Sequence, residues 1–126
     1  MALLDIQEKN DVVVVYFRQA KILDESTIRQ IGEEFKNLTI EAAASRKLLL
    51  NFERVEFMSS SMVGQIIRLN KQCKQDKVRL KLCGISPSIM EVFNLMRLRK
   101  VLEIHDDEEE ALEAFGSGRR GWFGRR

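Results

Sequence analysis

A buried strand that empties into a run of serines is the feature that most limits how this chain folds. In LLLNFERVEFMSSSMVGQII, residues 48–67, Leu48–Phe52 reads as a short strand without the polar alternation of a half-solvated sheet, the pattern of a strand covered on both faces. A linker carrying Val55 and Phe57 follows. Ser59, Ser60 and Ser61 then open a segment with Met62, Val63, Ile66, Ile67, Leu69 and Cys73 at helical spacing. A doubly covered strand feeding a helix is half of a parallel crossover, which commits the chain to an α/β fold. The same junction leaves three serines beside the unpaired N–H groups of a helix start, a place that favours an anion, including a phosphate carried on serine.

The flanking sequence continues that alternation. Ile6 and Val12–Phe17 bracket Lys9-Asn10-Asp11, a turn signal, and predict an N-terminal hairpin. Thr27 and Gln30 have the spacing of a capping box before Ile28, Ile31, Phe35 and Leu38. Val78–Cys83 alternates Val78, Leu80 and Leu82 with Arg79 and Lys81, a strand expected to have one wetter face. Ser86-Pro87 starts another helix, with Ser as cap, Pro at its first position, and Ile85 and Met90 placed as a hydrophobic staple. Val101–Ile104 reads as a brief last strand, and Asp107 and Glu110 cap a helix carrying Ala111, Leu112, Ala114 and Phe115. The acidic run Asp106–Glu110 is explained by the dipole at that helix start. The expected architecture is a single domain over residues 1–115: a mixed, mostly parallel sheet of about five strands, four helices and an antiparallel N-terminal hairpin.

Composition excludes several classes. A chain of 126 residues with 44% hydrophobic and 32% charged residues forms one globular domain. No apolar run approaches the ~20 residues of a bilayer span, and MALLDIQEKND lacks the form of a signal peptide, so a cytoplasmic location is expected. Cys73 and Cys83, with the single His105 far downstream, have no metal-ligand spacing, so neither a metal nor a cofactor is expected. Both cysteines read as small buried hydrophobes. No G-x-S-x-G elbow, P-loop or G-x-G-x-x-G occurs, and Ser60 has no sequence-near base, which argues against an enzyme.

The net charge of +2 is set by the terminus: GSGRRGWFGRR holds four of the 21 basic residues, and residues 1–115 balance 17 basic against all 19 acidic ones. Residues 116–126 read as a flexible basic tail. Its arginines, Trp122 and Phe123 suit nucleic acid, acidic lipid or protein, and a solubilising or artificially appended terminus explains them as well. Membrane contact through the tail is not the favoured reading, and no direct DNA binding is expected.

The succession Val55, Phe57, Met58, Ser60, Ser61 and Gly64 between strand and helix resembles the STAS domain of bacterial anti-sigma factor antagonists. Leu23-Asp24, Ser86-Pro87, Phe93, Leu98, Val101-Leu102, Ile104 and DDEEEAL extend the likeness over about residues 4–115. The resemblance implies a regulatory module that binds an anti-sigma factor serine kinase, is phosphorylated by it at Ser60 and thereby released, and is reset by a serine phosphatase. Ser59 and Ser61 are the alternate acceptors. Asp24, Met58, Ser59, Ser61 and Met62 are expected around Ser60 as the partner-binding face, with Met58 and Met62 forming an exposed apolar patch. Two positions depart from the family pattern, which usually has Asp at Ser59 and Gly at Met62. The alternative implied by the same resemblance is a phosphorylation-independent STAS subunit docked on a larger assembly such as a membrane transporter.

Overall fold

A two-residue turn starts the sheet. Asn10 and Asp11 both adopt positive φ, 51° and 67°, the pairing that lets two strands turn back with the right twist. They join β1 (Leu4–Lys9) to β2 (Val12–Phe17), antiparallel with Lys9 opposite Val12. The protein, described as a computed structural model, covers residues 2–123, with side chains from residue 2 to residue 116.

Every further strand of the main sheet is parallel. The order is β1-β2-β4-β6-β7, with β4 at Lys47–Asn51, β6 at Arg79–Cys83 and β7 at Glu103–His105. Four long helices link or cover these strands: α1 (Glu25–Phe35), α3 (Ser60–Gln75), α4 (Pro87–Leu95) and α5 (Glu108–Phe123). A single-turn α2 (Leu38–Glu41) follows α1, and a 3₁₀ turn, Leu98–Lys100, precedes β7. A separate parallel pair, β3 (Lys21–Ile22) and β5 (Phe57–Met58), lies outside the main sheet.

Leu48, Leu49 and Leu50 on β4 are fully buried on both faces, as a strand without alternation requires. Leu48 and Leu50 join the larger core with Phe17, Ile31, Phe35, Met62 and Ile66; Leu49 faces a smaller core with Val12, Val14, Ala111 and Phe115 under α5. Phe52 stacks on Phe17 with ring centroids 4.6 Å apart, and Phe35 meets Phe17 edge-on. Each of these large side chains contributes about 1.5–3 kcal/mol by leaving water.

Several local expectations are corrected. The cap of α1 is Asp24, whose side chain accepts from the Thr27 N–H at 3.0 Å, so the Thr27–Gln30 pair lies inside the helix. Lys81 is buried rather than wet. It reaches Glu103, lies 5.0 Å from the Phe115 ring centroid, and is roofed by α5, whose apolar stripe needed that face of β6. The last strand begins at Glu103, leaving Val101 exposed. The cap of α4 is Ser86, with Pro87 as first residue. At α5, the Asp107 carboxylate accepts from the Glu110 N–H while Glu110 reaches back to the Asp106 N–H, each at 2.8 Å. That helix continues to Phe123. The sequence segment read as a flexible tail overlaps its last turns, and its side chains from residue 117, with residues 124–126 entirely, lie outside the described residues.

Candidate functional site

The site is built where β4 ends. Asn51, buried, turns its side-chain oxygen onto the Glu53 N–H at 2.8 Å, and Phe52 N–H donates to the Cys83 carbonyl at 2.9 Å. These bonds fix the corner that carries the chain off the sheet. Gly84 permits it: at φ +72° it occupies the left-handed region, and a Cβ there would stand 3.0 Å from Glu53 N. Asn51 is itself held by the Glu108 carboxylate, which accepts from Asn51 Nδ2 at 2.9 Å, Tyr16 OH at 2.5 Å and Lys9 Nζ at 2.9 Å. Burial pushes the Glu108 carboxyl up, but the bonds from Tyr16, Lys9 and Asn51 outweigh it and hold it below its ordinary value.

Beyond the corner, Val55 plugs into the core and the chain doubles against β3. Glu56 and Phe57 N–H both donate to the Ala20 carbonyl, and Ser59 N–H donates to the Ile22 carbonyl at 3.1 Å. Because Ile22 pairs with Met58, the residues that follow, Leu23-Asp24 and Ser59-Ser60, leave the pair side by side. Two helices therefore begin together, α1 at its cap Asp24 and α3 at its cap Ser59.

The two caps behave differently. The exposed Asp24 accepts from Ser26 Oγ at 2.8 Å and from Thr27 N–H, bonds that lower its carboxyl to about 2, so it is a fixed negative charge. Ser59 has cap backbone geometry but its hydroxyl makes no capping bond; Ser59 Oγ is buried without a hydrogen-bond partner among the described residues. Ser60 is the first residue of α3, exposed, and neither its N–H nor that of Ser61 has an acceptor among the described residues. An exposed hydroxyl beside two unfilled donors and the positive end of a 16-residue helix can carry a phosphate with little local strain. The neighbouring Asp24 charge opposes that phosphate.

Of the residues expected around Ser60, the structure brings Asp24, Met58, Ser59 and Ser61 to this edge, with Met58 half-buried. Met62 is different: it was expected in an exposed patch and is 0% exposed. It shares the i, i+4, i+7 row with Ile66 and Leu69, so it must face the core, and the row already implied this. The apolar surface of the edge comes instead from two side chains the sequence reading did not nominate, Phe57 at 50% and Leu23 at 54% exposure. The available signal was alternation: in a pair whose register sets Ile22 beside Met58, the inward residues are Ile22 and Met58, so Phe57 must point out.

No cluster of three or more His, Cys, Asp or Glu able to hold a metal occurs among the described residues. Burial pushes both Cys73 and Cys83 up to about 12, which keeps them protonated and inert near neutrality. No helix among the described residues is long and apolar enough to cross a membrane.

A model of the STAS domain family matches residues 3–111. A putative anti-sigma factor antagonist, BtrV, of Bordetella bronchiseptica is 27% identical over 70 residues, 56% of this chain and 60% of that protein; the match thus spans less than two thirds of the relative's length. The anti-sigma F factor antagonist of Paenibacillus polymyxa is 24% identical over 109 residues, 86% of this chain and 92% of that protein. Among solved structures, the anti-sigma factor antagonist SpoIIAA in its unphosphorylated form superposes with a TM-score of 0.63 at 26% identity, over 92% of this chain and 97% of that one.

Proposed function

Because the chain belongs to the STAS domain family, whose matched relatives are named anti-sigma factor antagonists, we propose that it is a regulatory binding module switched at Ser60. In the unmodified state the Ser60 edge binds an anti-sigma factor serine kinase and thereby frees a sigma factor. Phosphorylation of Ser60 by that kinase breaks the complex, and a serine phosphatase resets it.

The observation that carries this reading is the exposed Ser60 hydroxyl at the first residue of α3, flanked by unfilled N–H donors and by exposed Phe57 and Leu23. A phosphate there adds about −1.5 to −2 charges. The helix start tolerates the charge, but an apolar contact around Phe57 and Leu23, with Asp24 already negative, does not. The switch thus acts on the interface and leaves the fold in place. The existence of an unphosphorylated form among the structural neighbours supports the assignment.

Incubation with ATP and the host's candidate serine kinases, followed by intact-mass measurement of wild type, Ser60→Ala, Ser59→Ala and Ser61→Ala, tests it. One added phosphate on all but Ser60→Ala is expected. Modification of Ser60→Ala, with loss in either of the other variants, moves the switch to that serine. Stable partner binding with no phosphate on any serine would favour the phosphorylation-independent docked subunit.

A further inference from the structure

We propose that the sheet edge opposite Ser60 docks on an anionic lipid surface. The connections into β4, β6 and β7 all reach that edge, and each contains a residue in the left-handed region: Arg46 at φ 61°, Lys77 at φ 59° and Arg97 at φ 57°. Glycine or asparagine fills such positions most easily, since a Cβ is disfavoured there. After α3 the geometry is a full helix-ending motif: Lys77 N–H donates to the Lys74 carbonyl and Val78 N–H to the Cys73 carbonyl, the setting where glycine predominates. This chain carries an exposed Arg or Lys at all three positions. The helix dipole favours a cation nearby, but a cation anywhere in the last turn satisfies it without left-handed strain.

These cations share one edge. Arg79 N–H donates to the Arg46 carbonyl at 2.8 Å, and Arg79 lies opposite Lys47 in the register, so the β4 and β6 connections are adjacent. Lys81 opposite Glu103 places Val101 level with Arg79, and the exposed Arg99 and Lys100 just before it. Arg97, Arg99 and Lys100 have no carboxylate partner among the described residues. Two of the acids close by pair with cations, Asp11 with Lys47 and Glu103 with Lys81, whereas Asp76 accepts from the neutral Gln72 amide and keeps its charge. The exposed Glu8 and Glu41, which line one hollow with Asp11, also lack a cation partner among the described residues, so the free positive charge is concentrated at Arg97, Arg99 and Lys100.

Apolar side chains stand among the cations. Leu95 is 84% exposed at the end of α4, Ile40 72% on α2 and Val101 51%, with Met96 beside them. Aliphatic tips scattered over three connections and interspersed with unpaired cations make no groove for a peptide. They match a planar anionic interface, where apolar tips enter the headgroup layer and each cation adds attraction. α5 also returns to this edge, because Arg79 lies 5.2 Å from the Phe115 ring centroid. Ser60, at the far end of the sheet, stays accessible to a protein while the module is docked.

The test is sedimentation of the full chain with vesicles of phosphatidylcholine containing about one third phosphatidylglycerol, at low salt, against pure phosphatidylcholine. Binding to the anionic vesicles alone is expected. The triple variant Arg46→Gly, Lys77→Gly, Arg97→Gly should partition on the order of 100-fold more weakly, about fivefold per cation. Its melting temperature should not fall, since glycine suits all three backbones. Arg99→Gln with Lys100→Gln, at positive charges free of that backbone constraint, should weaken binding about 25-fold without altering the fold. No binding to anionic vesicles overturns the proposal, as does equal binding by both variants and wild type. Charge-dependent retention on poly-glutamate but not on vesicles would overturn it in favour of an acidic protein.

Discussion

Replacing Glu108 by Ala tests how the back of the sheet holds the corner that leads to Ser60. The carboxylate accepts three bonds, and each loss has its own magnitude. Asn51 is 3% exposed, so its Nδ2 is left unpaired without water, at about 1–3 kcal/mol. The Tyr16 hydroxyl is only half-buried and turns to solvent at little cost. Lys9, 40% exposed at its side chain, loses an ion pair worth at most about 1 kcal/mol. One of three acids in the first turn of α5 disappears, another ~0.5 kcal/mol. The total is about 2–4 kcal/mol, or roughly 10 °C in melting temperature for a chain of this size. The carboxyl is held below its ordinary value of 4.5, so its stabilisation is complete above that value and is lost as pH falls through the lower folded value. Urea unfolding of wild type and variant near neutrality and in acid measures both effects. The gap between them should close in acid. A gap under about 1 kcal/mol near neutrality, or one of constant size down to strong acid, would refute the reasoning.

Three other outcomes follow from the geometry. Ser60→Asp should bind the partner at least about tenfold more weakly than Ser60→Ala, read by titration calorimetry; equal affinities sink the switch. Phe57→Ala and Leu23→Ala should leave thermal stability within about 0.5 kcal/mol, since both side chains are half exposed, yet weaken partner binding about tenfold or more; unchanged binding would move the interface elsewhere. Gly84→Ala should destabilise by about 2 kcal/mol or more, because it combines a left-handed backbone with a Cβ 3.0 Å from Glu53 N, and an unaffected urea midpoint would contradict this.

What was legible in the sequence divides by the range of the physics. Leu48–Phe52, Asn10-Asp11 and Ser86-Pro87 follow local rules of burial, turn chemistry and capping, and they appear as the sequence indicates. Thr27 and Gln30 misled because Asp24, three residues earlier, offers a better oxygen at the same helix start. Lys81 misled because alternation shows which face a residue occupies but not that α5 will cover that face. At the site, the helix start at the serines was readable from the junction alone. The outward turn of Phe57 depends on pairing with Lys21, far away in sequence, and Met62 was drawn outward by its place at the strand-end edge although its own helical row placed it inside.

The two-residue pair β3–β5 sets how easily the segment before Ser60 can open. It is hydrogen-bonded beside the main sheet and not within it, tied mainly by the bonds to the Ala20 and Ile22 carbonyls. Opening those few bonds lifts Val55 and the half-buried Met58 from the core, while Phe57 is already half in water. Local opening of residues 53–59 therefore costs about the burial of those two side chains, less than global unfolding. Under the proposed switch, a kinase would draw Ser60 into its own active site by fraying this strap, while the five-stranded sheet stays closed as a rigid handle.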